Sequence, residues 1–124
     1  MRILIVDDDE IVLKSCSKVL INEGVEVIEA RSAESAFNII TQKELSAILV
    51  DIKMPGQDGL NLIKKIRLIL PDIPIIVMSG YATRETIKQV RDVTSGIFLP
   101  KPFTPDELLV ALENIIKPSG SSNG

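Results

Sequence analysis

The 124-residue sequence has no histidine and no tryptophan, a single cysteine, and only four aromatic residues, three Phe and one Tyr. Each scarcity excludes something. Without histidine the chain cannot supply a Ser-His-Asp or Cys-His nucleophile, a histidine zinc site, or a phosphohistidine of its own. One cysteine rules out an internal disulfide and gives no sign of an oxidising compartment. With aromatics at 3%, the core has to be built from Ile, Leu and Val. No apolar run approaches the roughly 18 residues of a membrane span. The start, Met1-Arg2, leads straight into a short apolar run and an acidic cluster, unlike a signal peptide. A cytoplasmic protein without membrane contact is therefore expected. Positive charge is also in deficit: 14 Lys and Arg against 17 Asp and Glu leave −3, a poor start for nonspecific nucleic-acid binding. What remains for chemistry is carboxylates, lysine, hydroxyls and bound ions.

Apolar residues at 45% and charged residues at 25% are normal for one soluble domain of this length. Four short apolar runs, at 3–6, 47–50, 75–78 and 97–99, are too short for helices and suit buried strands, and 25–30, which carries Glu26 and Glu29, is a further strand candidate. Helical periodicity fills the gaps. Ile11, Val12, Cys16, Val19 and Leu20 are read as one side of a first helix, with Gly24 at its C-terminus. Ser32 is the expected N-cap of a helix through Ala36, Phe37 and Ile40. A third runs through Leu62, Ile63, Ile66 and Ile69 and ends before Pro71. The fourth, around 85–92, is the weakest, anchored by Ile87 and Val90. The last opens with Thr104 as N-cap, Pro105 in the first position and Glu107 closing a T-x-x-E box, and turns Leu108, Leu112, Ile115 and Ile116 inward. Residues 1–118 are expected to form one domain. The tail 119–124, Ser-Gly-Ser-Ser-Asn-Gly, reads as the start of a flexible linker or an engineered scar. Five strand–helix alternations call for an α/β fold, a doubly wound (βα)5 sandwich whose five-stranded parallel sheet has the order 2-1-3-4-5.

In such sheets, ligands bind beyond the carboxyl ends of the strands, near the point where strand order reverses. Strand one ends in Asp7-Asp8, strand three in Asp51, strand four in Ser79 and strand five in Lys101. Each has a plainer reading: a helix N-terminus for the acidic run, a turn for Asp51, a loop for Ser79-Gly80, a solvated surface for Lys101. Their coincidence at one sheet edge favours a site. Clustered carboxylates need a compensating cation, and oxygen-only ligands suit a hard ion such as Mg²⁺. Asp can serve as a covalent nucleophile, and phosphoryl transfer asks mainly for positioning and charge neutralisation. Cys16 is assigned to the core, Met54 and Tyr81 to loop packing.

Four segments carry a resemblance: Ile3-Leu4-Ile5-Val6-Asp7-Asp8-Asp9-Glu10, Leu49-Val50-Asp51-Ile52-Lys53-Met54-Pro55-Gly56-Gln57-Asp58-Gly59, Met78-Ser79-Gly80-Tyr81 and Leu99-Pro100-Lys101-Pro102-Phe103. In order and spacing they resemble the receiver domain of two-component response regulators. The resemblance implies that Asp51 is the phosphoacceptor, and that Asp7, Asp8, Asp51 and the backbone carbonyl of Lys53 hold Mg²⁺. It implies that Ser79 and Lys101 contact the phosphoryl group, and that the Lys101–Pro102 bond is cis. Phe98 falls at the family's aromatic switch position, its ring turning inward as Ser79 moves. Partners so implied are a sensor histidine kinase or histidine phosphotransfer protein, with an output domain in a longer chain or a phosphorylation-dependent homodimer left open. Many members carry Gly-Ala where this chain has Thr94-Ser95, with Gly96 one place later, so the surface around helix four is expected to differ. Two other classes fit less well. An aspartyl-phosphate phosphohydrolase usually wants a second Asp two residues after the nucleophile, where Lys53 stands here. A flavin carrier needs a phosphate-cradling first loop, and Asp7-Asp8-Asp9 would repel phosphate.

Overall fold

A computed structural model describes residues 1–52, 58–80, 83–94 and 96–116, without the side chains of Asp58 and Ile116. Strands and helices alternate along the whole of it: β1 (Arg2–Val6), α1 (Glu10–Asn22), β2 (Glu26–Ala30), α2 (Ala33–Gln42), β3 (Ala47–Asp51), α3 (Asp58–Ile69), β4 (Ile75–Ser79), α4 (Arg84–Val93), β5 (Ile97–Pro100) and α5 (Pro105–Ile116). All strand pairs are parallel and the order is β2-β1-β3-β4-β5, as the alternation requires. No helix among the described residues is long and apolar enough to cross a membrane.

Side chains alternate across each strand, so one strand feeds two cores. Leu4, Val6, Ile48, Val50, Ile75 and Val77 face one layer with Ala36, Ile40, Leu62, Ile63, Ile66 and Val90, from α2, α3 and α4. Ile3, Ile5, Ala47, Leu49, Ile76, Met78 and Leu99 face the other with Leu13, Cys16, Leu20, Leu108, Ala111 and Leu112, from α1 and α5. The central strands β3 and β4 are buried at every position. That explains their unbroken apolar runs, and why the exceptions at their ends, Asp51 and Ser79, stand out.

The caps follow the sequence. Ser32 Oγ accepts from the Ser35 amide at 3.1 Å. Thr104 Oγ1 accepts from the Glu107 amide at 3.1 Å while Glu107 Oε1 accepts from the Thr104 amide at 2.8 Å, a reciprocal capping box. Gly24 follows α1 with a positive φ of 82°. At Gly59 an added Cβ would stand 2.7 Å from the Ile52 Cα and 3.0 Å from the Asp51 carbonyl oxygen. Only glycine lets α3 begin this close to the end of β3.

Two helix faces differ from the sequence reading. Ile11 is 77% exposed, and the buried residues of α1 are Leu13, Cys16, Ser17 and Leu20, with Val12 and Val19 half-buried at the flanks. At about 100° per residue Ile11 lies half a turn away from Leu20, on the opposite side of the helix. Ile69, the last residue of α3, is 43% exposed, while Leu62, Ile63 and Ile66 are buried as expected. In α4 the buried residue is Val90, and Ile87 is half-buried. The side chain of Ile116 and the 119–124 tail lie outside the described residues.

This packing separates two apolar positions with opposite consequences. Leu49→Ala, in the centre of the sheet, should destabilise the protein by about 2–5 kcal/mol. Ile11→Ala should change stability by less than about 0.5 kcal/mol, as for other surface substitutions. Urea unfolding followed by far-ultraviolet circular dichroism measures both; a large loss at Ile11 would contradict the α1 register.

Candidate functional site

The site lies at the carboxyl edge of the sheet, where chain direction diverges between β1 and β3. Strand pairing brings its parts together. Val6 pairs with Val50, so Asp7 and Asp51 end adjacent strands, and Met78 pairs with Asp51, so Ser79 lies one residue further along the next strand. Ser79 pairs with Pro100, and its carbonyl accepts from the Lys101 amide at 2.8 Å. The Lys101–Pro102 peptide is cis. Asp7, Asp51 and Ser79 are each 1% exposed, and among the described residues no buried side-chain nitrogen or oxygen lacks a partner.

The centre of the site is one ammonium between two carboxylates. Lys101 Nζ lies 2.8 Å from Asp7 Oδ2 and 2.9 Å from Asp51 Oδ2. Asp7 is held from its other side, where Oδ1 accepts from the Asp9 amide at 2.9 Å. Asp9 Oδ1 in turn accepts from the Ile11 amide at 2.9 Å and caps α1. The acidic run therefore divides its work. Asp9 does what a helix N-terminus asks of an acid, and Asp7 turns into the site. Asp8 is exposed, and carboxylate oxygens of Asp7, Asp8 and Asp51 lie within 4.8 Å of one another. Three carboxylates against one ammonium leave net negative charge, and all three offer hard oxygen ligands. By donor type they fit a divalent cation such as Mg²⁺ or Mn²⁺.

Electrostatics follow from burial. Desolvation pushes the Asp7 carboxyl above its ordinary value, and the charge of Asp51 adds to the rise; the bonds from Lys101 and the Asp9 amide offset only part of it. Burial by itself would lower Lys101, but the hydrogen bonds it donates to both aspartates, with their charges, outweigh it and its pKa is raised. Lys101 therefore stays charged. Cys16, 3% exposed, has its thiol pushed up to about 11 by burial, with the negative charge of Asp7 adding to it. At neutral pH it is a protonated core residue, not a nucleophile.

The structure brings together Asp7, Asp8, Asp51, Ser79 and Lys101, all expected at one edge. By strand alternation Ser79 and Phe98 face the same side of the sheet, the side of α2, α3 and α4, where Phe98 is half-buried against the apolar layer. Lys53, Met54 and Tyr81 lie outside the described residues. Sequence reasoning gave Asp9 no role separate from its acidic neighbours. The available signal was its place immediately before the helical pattern, where an N-cap belongs.

With this geometry in place, comparison with known proteins is informative. The family model of the response regulator receiver domain matches residues 3–113. The chain belongs to that family. It is 31% identical to a CheY-like receiver domain protein from Methanospirillum hungatei JF-1, with a TM-score of 0.89 over 99% of this chain and 98% of that one. The chemotaxis protein CheY4 of Vibrio cholerae superposes with a TM-score of 0.87 at 26% identity, covering 92% of this chain and 97% of that one. Sporulation initiation phosphotransferase F of Bacillus subtilis is 29% identical over 115 residues, 93% of each chain. Others are longer. The chain is 33% identical to the transcriptional regulatory protein YesN of Bacillus subtilis but spans 32% of its length, and it spans 48% of Protein PetR of Rhodobacter capsulatus.

Asp7 provides a test of the site's electrostatics. An acid whose folded pKa is raised above 3.8 costs stability progressively as pH rises past 3.8 and in full above the raised value, because folding then holds a charge the interior disfavours. Asp7→Asn should therefore be more stable than the parent at pH 7, and its advantage should shrink as pH falls toward 3.8, where Asp7 becomes protonated in the parent too. Urea midpoints from pH 7 down to pH 4 measure it; a variant less stable at pH 7 would reverse the assigned balance.

Proposed function

We propose that this chain is a phosphoacceptor switch that takes a phosphoryl group from a phosphohistidine onto Asp51. The observation that carries this reading is the Lys101 ammonium shared between Asp7 and Asp51. It holds the Asp51 carboxylate in place and supplies a cation where phosphoryl charge will accumulate. The donor is a sensor histidine kinase or a histidine phosphotransfer protein, since this chain has no histidine. An Asp51 oxygen attacks phosphorus as the P–N bond to the donor's imidazole breaks. The electron pair returns to that imidazole, which takes up a proton. Slow return occurs when water attacks phosphorus, the Asp51 O–P bond breaks, and inorganic phosphate leaves.

Asp7, Asp8, Asp51 and the Lys53 carbonyl would hold Mg²⁺, which when bound neutralises phosphoryl oxygens. The chain's own residues do the rest. Lys101 donates to the phosphoryl group, and the Ser79 hydroxyl is one residue along the neighbouring strand. Drawing Ser79 toward the new dianion frees space on the side of the sheet that Phe98 shares, and the change is read on the face of α4, β5 and α5. Beside Lys101 opens an apolar hollow of about 460 Å³ lined by Ile11, Val12, Cys16, Pro102 and Phe103. Residues 1–118 act as the receiver in the cytoplasm, with 119–124 as tail. This domain itself makes no direct contact with nucleic acid or membrane, and the output lies in further sequence, a separate protein or a second copy. As a substrate and slow self-dephosphorylating partner, the chain should not turn over a generic phosphomonoester.

Incubation with acetyl phosphate and Mg²⁺ should add one labile phosphoryl group, detected by intact mass and removed by hydroxylamine. Asp51→Asn should reduce labelling to background. Asp8→Asn, with one ligand charge fewer, should weaken Mg²⁺ binding by about tenfold or more, read as a smaller Mg²⁺-dependent rise in melting temperature. Undiminished labelling of Asp51→Asn would overturn the assignment.

A further inference from the structure

Away from the site, at the opposite end of the strands, one arginine gathers four acceptors. Arg67, near the end of α3, donates through Nη1 to the carbonyls of Ile73 at 2.7 Å, Pro71 at 3.2 Å and Leu70 at 3.4 Å. Through Nη2 it donates to Thr94 Oγ1 at 2.8 Å. Thr94 is 5% exposed and follows α4 directly; its amide donates to the Val90 carbonyl at 2.9 Å. The same hydroxyl accepts from the Gly96 amide at 3.1 Å. Gly96 is packed so closely that an added Cβ would stand 2.1 Å from the Ile75 carbonyl oxygen, so the chain enters β5 pressed against the start of β4. Burial lowers the Arg67 pKa, with the charge of Asp72 opposing the change, and the guanidinium remains charged throughout the physiological range.

The rest of α4 contrasts with this end. Its N-cap Thr83 and residues Arg84 and Glu85 are exposed, Ile87 is half-buried, and Val90 is its one buried side chain among the described residues. Val90 and half-buried Val93 pack in the same apolar layer as Phe98. The helix is thus fastened at its C-terminal end by a charged hydrogen-bond cluster and a single apolar anchor, and lightly held at the end nearer Ser79.

We infer that Arg67 is a positioning residue that fastens the C-terminal end of α4 and the entry to β5 to the α3–β4 connection, so that α4 rearranges by pivoting about Thr94. The Thr94 hydroxyl is the joint, because it alone receives both Arg67 and the Gly96 amide. A Gly-Ala pair at 94–95 would leave the guanidinium no such acceptor. The inference rests on the phosphoacceptor reading only for what drives α4; the fastening itself belongs to the unphosphorylated protein.

Amide hydrogen exchange by NMR on the unphosphorylated chain tests it without requiring Asp51 chemistry. In the parent, the Thr94 and Gly96 amides should exchange at least about tenfold more slowly than that of Ile87, reporting local opening of the N-terminal part of α4 alone. Arg67→Met should raise exchange at Thr94 and Gly96 about tenfold or more and leave Ile87 and Leu49 changed much less, since the charged donor to buried Thr94 is lost locally. Thr94→Val, which spares the three carbonyl contacts, should raise exchange at Gly96 while Ile73 stays protected. Equal exchange of Ile87 and Thr94 in the parent would overturn the pivot. So would an Arg67→Met variant in which Thr94, Ile87 and Leu49 all accelerate alike, the result of a merely structural arginine.

Discussion

A single ammonium between two buried carboxylates governs the functional end of this molecule. Lys101 reaches Asp7 and Asp51 at 2.8 and 2.9 Å, and both aspartate side chains are essentially inaccessible. Buried ion pairs are poor stabilisers, because desolvation consumes most of the Coulomb attraction, but removing the shared ammonium would leave both carboxylates stranded. Here the partners are the residue after β1, the last residue of β3 and the residue after β5. The arrangement therefore demands that three strand ends meet, which the order β2-β1-β3-β4-β5 provides by putting β1 beside β3 and β4 beside both β3 and β5. A 1:2 ratio of cation to buried anion has a further consequence. With Asp8 nearby, the pocket holds more negative charge than Lys101 can balance, and further positive charge is favoured there.

How much of this was legible in the sequence depends on how local each feature is. A parallel strand buried on both faces leaves an apolar run, and its first polar residue marks the sheet edge; Asp7, Asp51, Ser79 and Lys101 were found that way. The capping residues Ser32, Thr104 and Glu107 were equally local, acting on amides within three residues. Ile11 was misplaced because α1 is so rich in aliphatics that Leu13 and Ile11 compete for the buried stripe, and only packing against β1 and β2 decides. The Arg67–Thr94 contact was invisible for another reason. Its partners are 27 residues apart, and neither belongs to a pattern that spacing can reveal.

Alternation along the strands divides the labour between the two sides of the sheet. Leu49 and Asp51 have the same parity in β3, and the Leu49 side carries α1 and α5. Val77 and Ser79 share the other parity, on the side of α2, α3 and α4, and Phe98 pairs with Val77 on that side. The charged centre is thus braced by the helices whose inner faces hold Leu13, Leu20, Leu108 and Leu112, while Ser79 and Phe98 adjoin the layer that includes α4. Rigidity belongs on the first side, where two carboxylates and an ammonium must keep hydrogen-bond distances. The second side can yield, since α4 contributes one fully buried side chain.

Yielding needs a fixed point if it is to transmit direction. A helix loosely held at both ends would answer a change at Ser79 with disorder; one fastened at Thr94 can answer only by swinging its near end. The fastening and the charged centre stand at opposite ends of the β4–α4–β5 unit, with Ser79 at one end and Gly96, pressed on the Ile75 carbonyl, at the other. Under the proposed switch, displacement at the Ser79 end would be carried along α4 instead of being lost in the turn into β5. Thr94, which departs from the family's common pattern, is the residue whose hydroxyl makes that end of the lever stiff.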